Sequence, residues 1–564
     1  MIRRQLSRLG RGPHPSRLWA MTGLAIFVVC TVTLLVGGCG APNERRGAGT
    51  ADSSSEVANL LLIVVDTLRD DHVGPVGGAT LTPSLDVLAE NGIRLHRAYA
   101  HIPATGPSHA SIFTGLLPPT HGVKRNAQAL DESFSTISEV LSSRGFRTGA
   151  VVSLGVMASK FGFGQGFDSY DEAFDRQWFR PADEITDSAL AMIGGWPRAD
   201  RFFAFVHYSD PHEPYAPPGL DYPELDVIVD GSKVNTVHAD GLGIRIPLNL
   251  APGRHEIRFE AAEDEATQTL VFQQLRLVGR KAKLYLEKGW RAEAGTPPER
   301  ANHSDSLPVT LSAVIDASGA MKVECTLRFF VTEKLATTVA RERYRLEVQY
   351  VDRQIGRLLE RLEEEDRLSD TVVVVTSDHG EGLGDHGLLG HIHQLYDTLI
   401  RVPLIMAAPG ISRENLTQAA SVRHVDLRPT VLSLLGVDDP VPGVGVDLGP
   451  YLRGDRPPPE VEHLCMTYRP LARADLHGLI VDSGKLIRNE GTGELEVYDL
   501  ELDPGELDNL AVESEEAGHE IANLVTMLND LLANTAGSTA IPNSQEPLTR
   551  SEREMLEALG YASD

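Results

Sequence analysis

The stretch Asn59-Leu60-Leu61-Leu62-Ile63-Val64-Val65-Asp66-Thr67 decides the fold. A short, unbroken apolar run closed by a carboxylate reads as a strand buried on both faces, as in a parallel sheet. Four further runs read the same way: Thr148–Ser153, Phe202–Asp210, Thr371–Asp378 and Val402–Ala407. Helical patterns alternate with them. Ser84–Asn91 and Ser135–Arg144 each stop at a glycine, and Tyr344–Leu368 carries Val351, Ile355, Leu358, Leu359 and Leu362 on one stripe. Strands alternating with helices predict an α/β fold, a central mostly parallel sheet flanked by helices. In such sheets ligands gather at the carboxyl ends of the strands. Asp66, Asp210 with His212, and Asp378 with His379 all fall there.

The rest of the 564-residue chain is arranged around that core. Residues 1–38 read as a targeting segment: a basic stretch through Arg17, an apolar run Leu18–Val36, then Gly37-Gly38-Cys39. Small residues before a cysteine resemble a bacterial lipobox, which implies cleavage before Cys39 and a lipid on its thiol. The alternative is an uncleaved membrane anchor. Both readings give an exported protein tethered to the cell envelope, with residues 39–56 as the tether. Beyond the signal and tether the cysteines are Cys325 and Cys465, read as two buried free thiols rather than a disulfide. Residues 57–218 and 334–460 are predicted to form the two parts of the α/β domain. Between them, 219–333 alternates like short strands separated by turn signals such as Asp230-Gly231, which predicts an inserted all-β sandwich. It is either a decoration or a module that recognises a polymeric substrate or partner. Residues 461–564 predict a small C-terminal α+β subdomain: hairpin segments Leu479–Arg488 and Glu494–Leu500, then helices at Ser514–Asn534 and Arg550–Leu559. The net charge of −27 argues against sequence-independent binding to nucleic acid or to anionic lipid surfaces.

One aspartate at a strand end is ordinarily a helix cap. Three strand ends carrying Asp or Asp-His are better explained by a bound cation or substrate, because buried carboxylates and imidazoles otherwise lose hydration for nothing. A second feature lies in Ile102-Pro103-Ala104-Thr105-Gly106-Pro107-Ser108-His109. Pro107 suits a first helical turn and Gly115 a helix end. Thr105 then stands at the positive end of a helix, where backbone N–H groups favour an anion.

These segments resemble the sulfatase family of the alkaline phosphatase superfamily: Asn59–Arg69, Thr82-Pro83-Ser84-Leu85-Asp86, Thr105–His109 with Thr114-Gly115, and His121-Gly122-Val123. So do His207–Pro218, Thr376–Gly380, Gly390-His391, Val402-Pro403-Leu404-Ile405 and, near the C-terminus, Tyr498-Asp499-Leu500. The resemblance implies an alkaline-phosphatase-like sandwich and a hydrolase of sulfuric or related phosphoric esters, on a substrate that is carbohydrate or lipid-linked. It implies a divalent cation held by Asp66, Asp378, His379 and the Thr105 hydroxyl, either calcium or, given the imidazole, zinc or manganese. It implies His212 as general acid, His391 on the nonbridging oxygens and His109 with Thr105 in the catalytic set, and Ser108, His393 and Asp210 as substrate-binding residues.

The chain departs from that family at several places. Thr67 stands where a second acidic ligand is usual, His109 where an arginine is usual, and the Lys-x-His element is missing from Val152–Lys160. The largest departure is Thr105. The family's cysteine or serine is oxidised to formylglycine; threonine oxidised at Cβ would give a ketone that hydrates poorly, so no formylglycine is expected. A threonine alkoxide can still attack directly. The alternatives are a phosphodiesterase or phosphoglycerol-type transferase, and a catalytically inactive binding relative.

Overall fold

The computed structural model describes residues 57–76, 79–174, 179–213, 215–218, 333–411, 420–468, 474–512 and 518–536, with the strands of the segment between 224 and 330. Its centre is a seven-stranded mixed sheet built from β1 (Asn59–Val65), β2 (Ile93–Arg94), β3 (Arg147–Val151), β4 (Ser169–Asp171), β5 (Phe202–Tyr208), β6 (Thr371–Thr376) and β7 (Leu404–Ala407). The spatial order is β2-β7-β6-β1-β5-β3-β4. β1 runs parallel to both β6 and β5, with Val64 opposite Thr376 on one side and His207 on the other.

Alternation along β1 sorts its side chains between two cores. Leu60, Leu62 and Val64 pack with Ala110, Ile112 and Phe113 of α2 (Thr105–Thr114) and Leu427, Val431 and Leu432 of α5 (His424–Leu434). Leu61, Ile63 and Val65 pack with α1 (Pro83–Asn91), α3 (Ala182–Gly194) and α4 (Glu333–Glu364). The stripe Val351, Ile355, Leu358, Leu359 and Leu362 of α4 is buried as its spacing predicts. Each fully buried aliphatic side chain contributes about 1.5–3 kcal/mol. The three strands β1, β5 and β6 are buried along their whole length, which anchors their ends.

Three details differ from the sequence reading. Val402–Ala407 is not one parallel strand. Arg401–Val402 pairs antiparallel with Arg97–Tyr99, and β7 runs antiparallel to β6. Pro403, which has no N–H to give a ladder, separates them. Leu479–Arg488 divides into strands Leu476–Val481 and Gly484–Asn489, because Asp482, at φ 51°, turns the chain. With His463–Thr467 and Leu495–Asp499 they form a four-stranded antiparallel sheet, followed by the helix Gly518–Ala536. The segment 219–333 holds two five-stranded antiparallel sheets, including Ser232–His238, too polar to be read as a strand. Asp230 and Gly231 both have positive φ and join Glu224–Val229 to it in a two-residue hairpin. Cys465 is a buried free thiol. Residues 1–56, the side chain of Cys325 and the expected helix at 550–559 lie outside what is described.

Candidate active site

The chain after β1 makes a tight reversal. Thr67 has φ 58°, a left-handed conformation that a β-branched residue rarely takes. It is held there from three directions. The Thr67 carbonyl accepts from the Tyr344 hydroxyl at 2.7 Å, Leu68 N donates to Ser377 Oγ at 2.9 Å, and Arg69 reaches the Glu381 carbonyl at 3.1 Å. The Thr67 hydroxyl turns back to the Asp66 carbonyl at 2.7 Å and its N–H donates to Asp378 Oδ1 at 3.2 Å. Thr67 thus supports Asp378 through its backbone; its own side chain is spent locally.

That reversal places Asp66 beside Asp378 and His379, all three fully buried. One donor atom from each lies within 4.8 Å of the others. Asp66 Oδ1 and Asp378 Oδ2 have no hydrogen-bond partner. His379 Nδ1 donates to the Gly380 carbonyl at 2.9 Å, which fixes the tautomer and leaves the Nε2 lone pair facing Asp66 Oδ1 at 3.8 Å and Asp378 Oδ2 at 3.5 Å. Burial, then the neighbouring Asp66 charge, holds the Asp378 carboxyl well above its ordinary range. Burial also acts to raise Asp66, but His207, His212 and His379 outweigh it and hold that carboxyl low. Two adjacent buried carboxylates cannot both ionise without a counter-charge. The arrangement fits a divalent cation: two orphaned oxygens and an oriented imidazole nitrogen converge where its ligands would stand.

Thr105 opens α2, and its buried hydroxyl lies 3.2 Å from Asp66 Oδ2 and 3.4 Å from His379 Nε2. Beyond His379 stands His391, at 4.6 Å between ring centroids, and beyond that His212, at 4.9 Å. Burial lowers the affinity of both rings for a proton; for His391 nearby His379 adds to it, and for His212 Asp66 opposes it. His212 Nδ1 bonds the Glu213 carbonyl at 2.5 Å, which leaves Nε2 as its working nitrogen. His393 is half-buried on the same loop as His391.

Three residues expected at the site, two as substrate contacts and His109 as catalytic, are engaged elsewhere. Ser108 Oγ donates to the Asp378 carbonyl at 2.7 Å and meets His424 Nδ1 at 3.0 Å, so it braces the end of β6. Asp210 accepts from Ala182 N at 3.0 Å at the start of α3, the capping role ordinary for a strand-end aspartate. His109 is enclosed by Phe113, Phe205 and His207, and its Nδ1 lies 2.8 Å from the Thr105 carbonyl. Burial keeps it neutral, so it does not replace an arginine's charge.

Two residues in the cluster were not singled out from sequence. Asn126 Oδ1 accepts the Gly106 N–H at 2.7 Å, and its buried Nδ2 has no partner. The donor on Gly106 settles which end of the amide is oxygen. Glu381 is fully buried, with Oε1 3.4 Å from His391 Nδ1. Burial pushes its carboxyl up to about 7. Each is one polar residue in a loop, with no spacing to flag it.

A family model described as "Sulfatase" matches residues 58–437, and one described as "N-sulphoglucosamine sulphohydrolase, C-terminal" matches 384–534. The chain is similar to the N-acetylglucosamine-6-O-sulfatase of Bacteroides thetaiotaomicron, at 26% identity over 81% of this chain and 83% of that one. Among solved structures it resembles a protein bound to its substrate D-glucosamine-2-N,6-O-disulfate, with TM-score 0.57, 20% identity, 87% of this chain and all of that one. It also resembles the phosphonate monoester hydrolase of Agrobacterium radiobacter, with TM-score 0.55, 20% identity, 87% of this chain and 99% of that one. The first match spans well over half the chain and contains every residue of the buried cluster: the chain belongs to the sulfatase family.

Proposed function

We propose that the protein is a divalent-cation-dependent hydrolase of sulfuric esters, with Thr105 as nucleophile. The observation that carries this is the position of the Thr105 hydroxyl, 3.2 Å from Asp66 Oδ2 and 3.4 Å from His379 Nε2, beside two carboxylate oxygens without partners. Asp66, Asp378 and His379 would hold the cation, which supplies Lewis acidity that lowers a neighbouring hydroxyl's pKa. Carboxylates with an imidazole suit manganese or zinc, and also calcium. Thr105, its hydroxyl proton already released to solvent, forms an Oγ–S bond as the S–O ester bond breaks and the ester oxygen leaves with a proton from His212. Water then attacks sulfur, the Thr105 Oγ–S bond breaks, and His212 takes the proton back. Asn126, whose Oδ1 accepts from Gly106 next to Thr105 and whose buried Nδ2 has no partner, would be one donor to a nonbridging oxygen. His391 is the second, oriented by Glu381.

Phosphoric and phosphonic esters are the second reading, favoured by Thr105 itself, because hydrolysis through threonine lacks the aldehyde's elimination route. Assays of aryl sulfate, phosphate monoester, diester and phosphonate with cation-loaded protein separate the two. Turnover of sulfate alone, lost in Thr105→Ala, removes the phosphoryl reading; no turnover of any ester removes both. Resemblance to glucosamine-sulfate enzymes makes a sulfated carbohydrate the first natural substrate class to try. The two sheets of 219–333 are read as an inserted recognition module beginning just after His212; deleting it should reduce turnover of large substrates more than of small aryl esters. Export and tethering through a lipid on Cys39 rest on the sequence alone: the basic stretch through Arg17, the apolar run Leu18–Val36 and Gly37-Gly38-Cys39. Among the described residues no helix is long and apolar enough to cross a membrane.

A further inference from the structure

His207 is a buried group that the reaction above leaves unused. It stands in β5 opposite Val64, is fully enclosed, and neither ring nitrogen has a hydrogen-bond partner. Taking such polar atoms out of water unpaired costs on the order of 1–3 kcal/mol. An apolar side chain would suit this setting better, since the rings of His109 and Phe205 lie 5.0 and 6.4 Å away. What distinguishes the position is its other neighbour: His207 Nε2 is 3.6 Å from Asp66 Oδ2, just beyond hydrogen-bond length. The two oxygens of Asp66 therefore differ. Oδ1 has no partner and faces His379, whereas Oδ2 is flanked by Thr105 and His207.

We propose that His207 is a positioning residue for the cation centre. Its Nε2, facing Asp66 Oδ2 at 3.6 Å, attracts that oxygen electrostatically, so that Oδ1 is presented to the cation and the carboxylate is kept from swinging round to offer both oxygens. The inference rests on the cation centre proposed above. It also gives sense to two departures of this chain. With the Thr67 side chain turned to the backbone and His109 neutral, two carboxylates remain to bind the cation, and the orientation of each matters more. Partners that orient a metal-binding carboxylate are typically worth about 10- to 100-fold in metal affinity.

The test is titration of Mn²⁺ alone and Ca²⁺ alone into the full-length wild type and into His207→Phe, His207→Leu and His207→Gln, with melting temperatures measured in EDTA. Phe keeps a ring between His109 and Phe205 but removes the donor. Leu removes the donor in a smaller volume, so the readout does not depend on whether Phe fits. Gln keeps a donor. The expected result is about 10- to 100-fold weaker cation binding in Phe and Leu, an intermediate loss in Gln, and a metal-free melting temperature of the Phe variant at or above that of the wild type. Cation affinity equal to wild type in Phe and Leu overturns the inference, as does a lowered metal-free melting temperature with unchanged affinity, the mark of mere packing. If the wild type binds neither cation, the cation centre falls and this inference with it; equal affinities in all four proteins remove the inference alone.

Discussion

Two buried charge clusters in this molecule are built on opposite plans. In the C-terminal region Lys485 Nζ lies 2.9 Å from Asp397 Oδ1 and 2.6 Å from Glu506 Oε1, and Glu506 also accepts the Asp397 N–H at 2.6 Å. Two acids are met by a cation that the chain itself supplies, and the three groups tie the sheet after residue 463 to the helix at Asp397. At the carboxyl ends of β1 and β6, two acids lie beside imidazoles and neutral N–H or O–H donors, and one oxygen of each is left without a hydrogen-bond partner. In the first cluster both acids have an ion-pair partner within the chain. The second is complete only with something from outside, and that incompleteness marks a functional site rather than a structural one.

The contrast can be broken in order of expected effect. Asp378→Ala should abolish cation binding and lower turnover by roughly 10³-fold or more, about 4 kcal/mol of transition-state stabilisation. Its metal-free melting temperature should change little, because relief of a desolvated buried carboxyl offsets the lost acceptor for the Thr67 N–H; calorimetry in EDTA and kinetics check both halves. Lys485→Met should do the reverse. Leaving Asp397 and Glu506 buried without their cation should cost about 3–5 kcal/mol in denaturant unfolding, with cation affinity unchanged.

Asp210 gives a smaller effect that depends on pH. Burial raises its carboxyl from 3.8 to about 7. The folded state then holds a proton that the unfolded state releases, so this group's contribution is fully present below about pH 4 and is lost as pH rises through 7. Asp210→Asn should flatten that fall and raise stability at pH 8 by an amount on the order of 2 kcal/mol, read from melting curves across pH. Last, Thr67→Gly should relieve left-handed strain worth roughly 1 kcal/mol, leaving the Thr67 N–H to Asp378 in place. A large loss of cation affinity there would show that the Thr67 side chain does more than its bond to the Asp66 carbonyl.

Much of this was legible because apolar periodicity and cation chemistry are written locally. The β1, β5 and β6 runs, the stripe of α4, and the Asp66, Asp378, His379 and Thr105 group could be read residue by residue. What could not be read depends on direction. Ser108 and Asp210 sit where substrate contacts were expected, yet their side chains turn to Asp378 and Ala182, a choice made by tertiary packing. The antiparallel run of β7 follows from long-range pairing that a short apolar stretch does not encode. Asn126, Glu381 and His207 acquire meaning only once three strand ends meet, because the signal in each is an atom with no partner.

The most direct measurement is the mass of the Thr105 peptide after a rapid acid quench of cation-loaded protein turning over aryl sulfate or phosphate esters. A sulfo or phospho group on Thr105, absent in EDTA and in Asp378→Ala, is the predicted result. Sustained turnover with Thr105 unmodified, and undiminished in Thr105→Ala, would contradict the account.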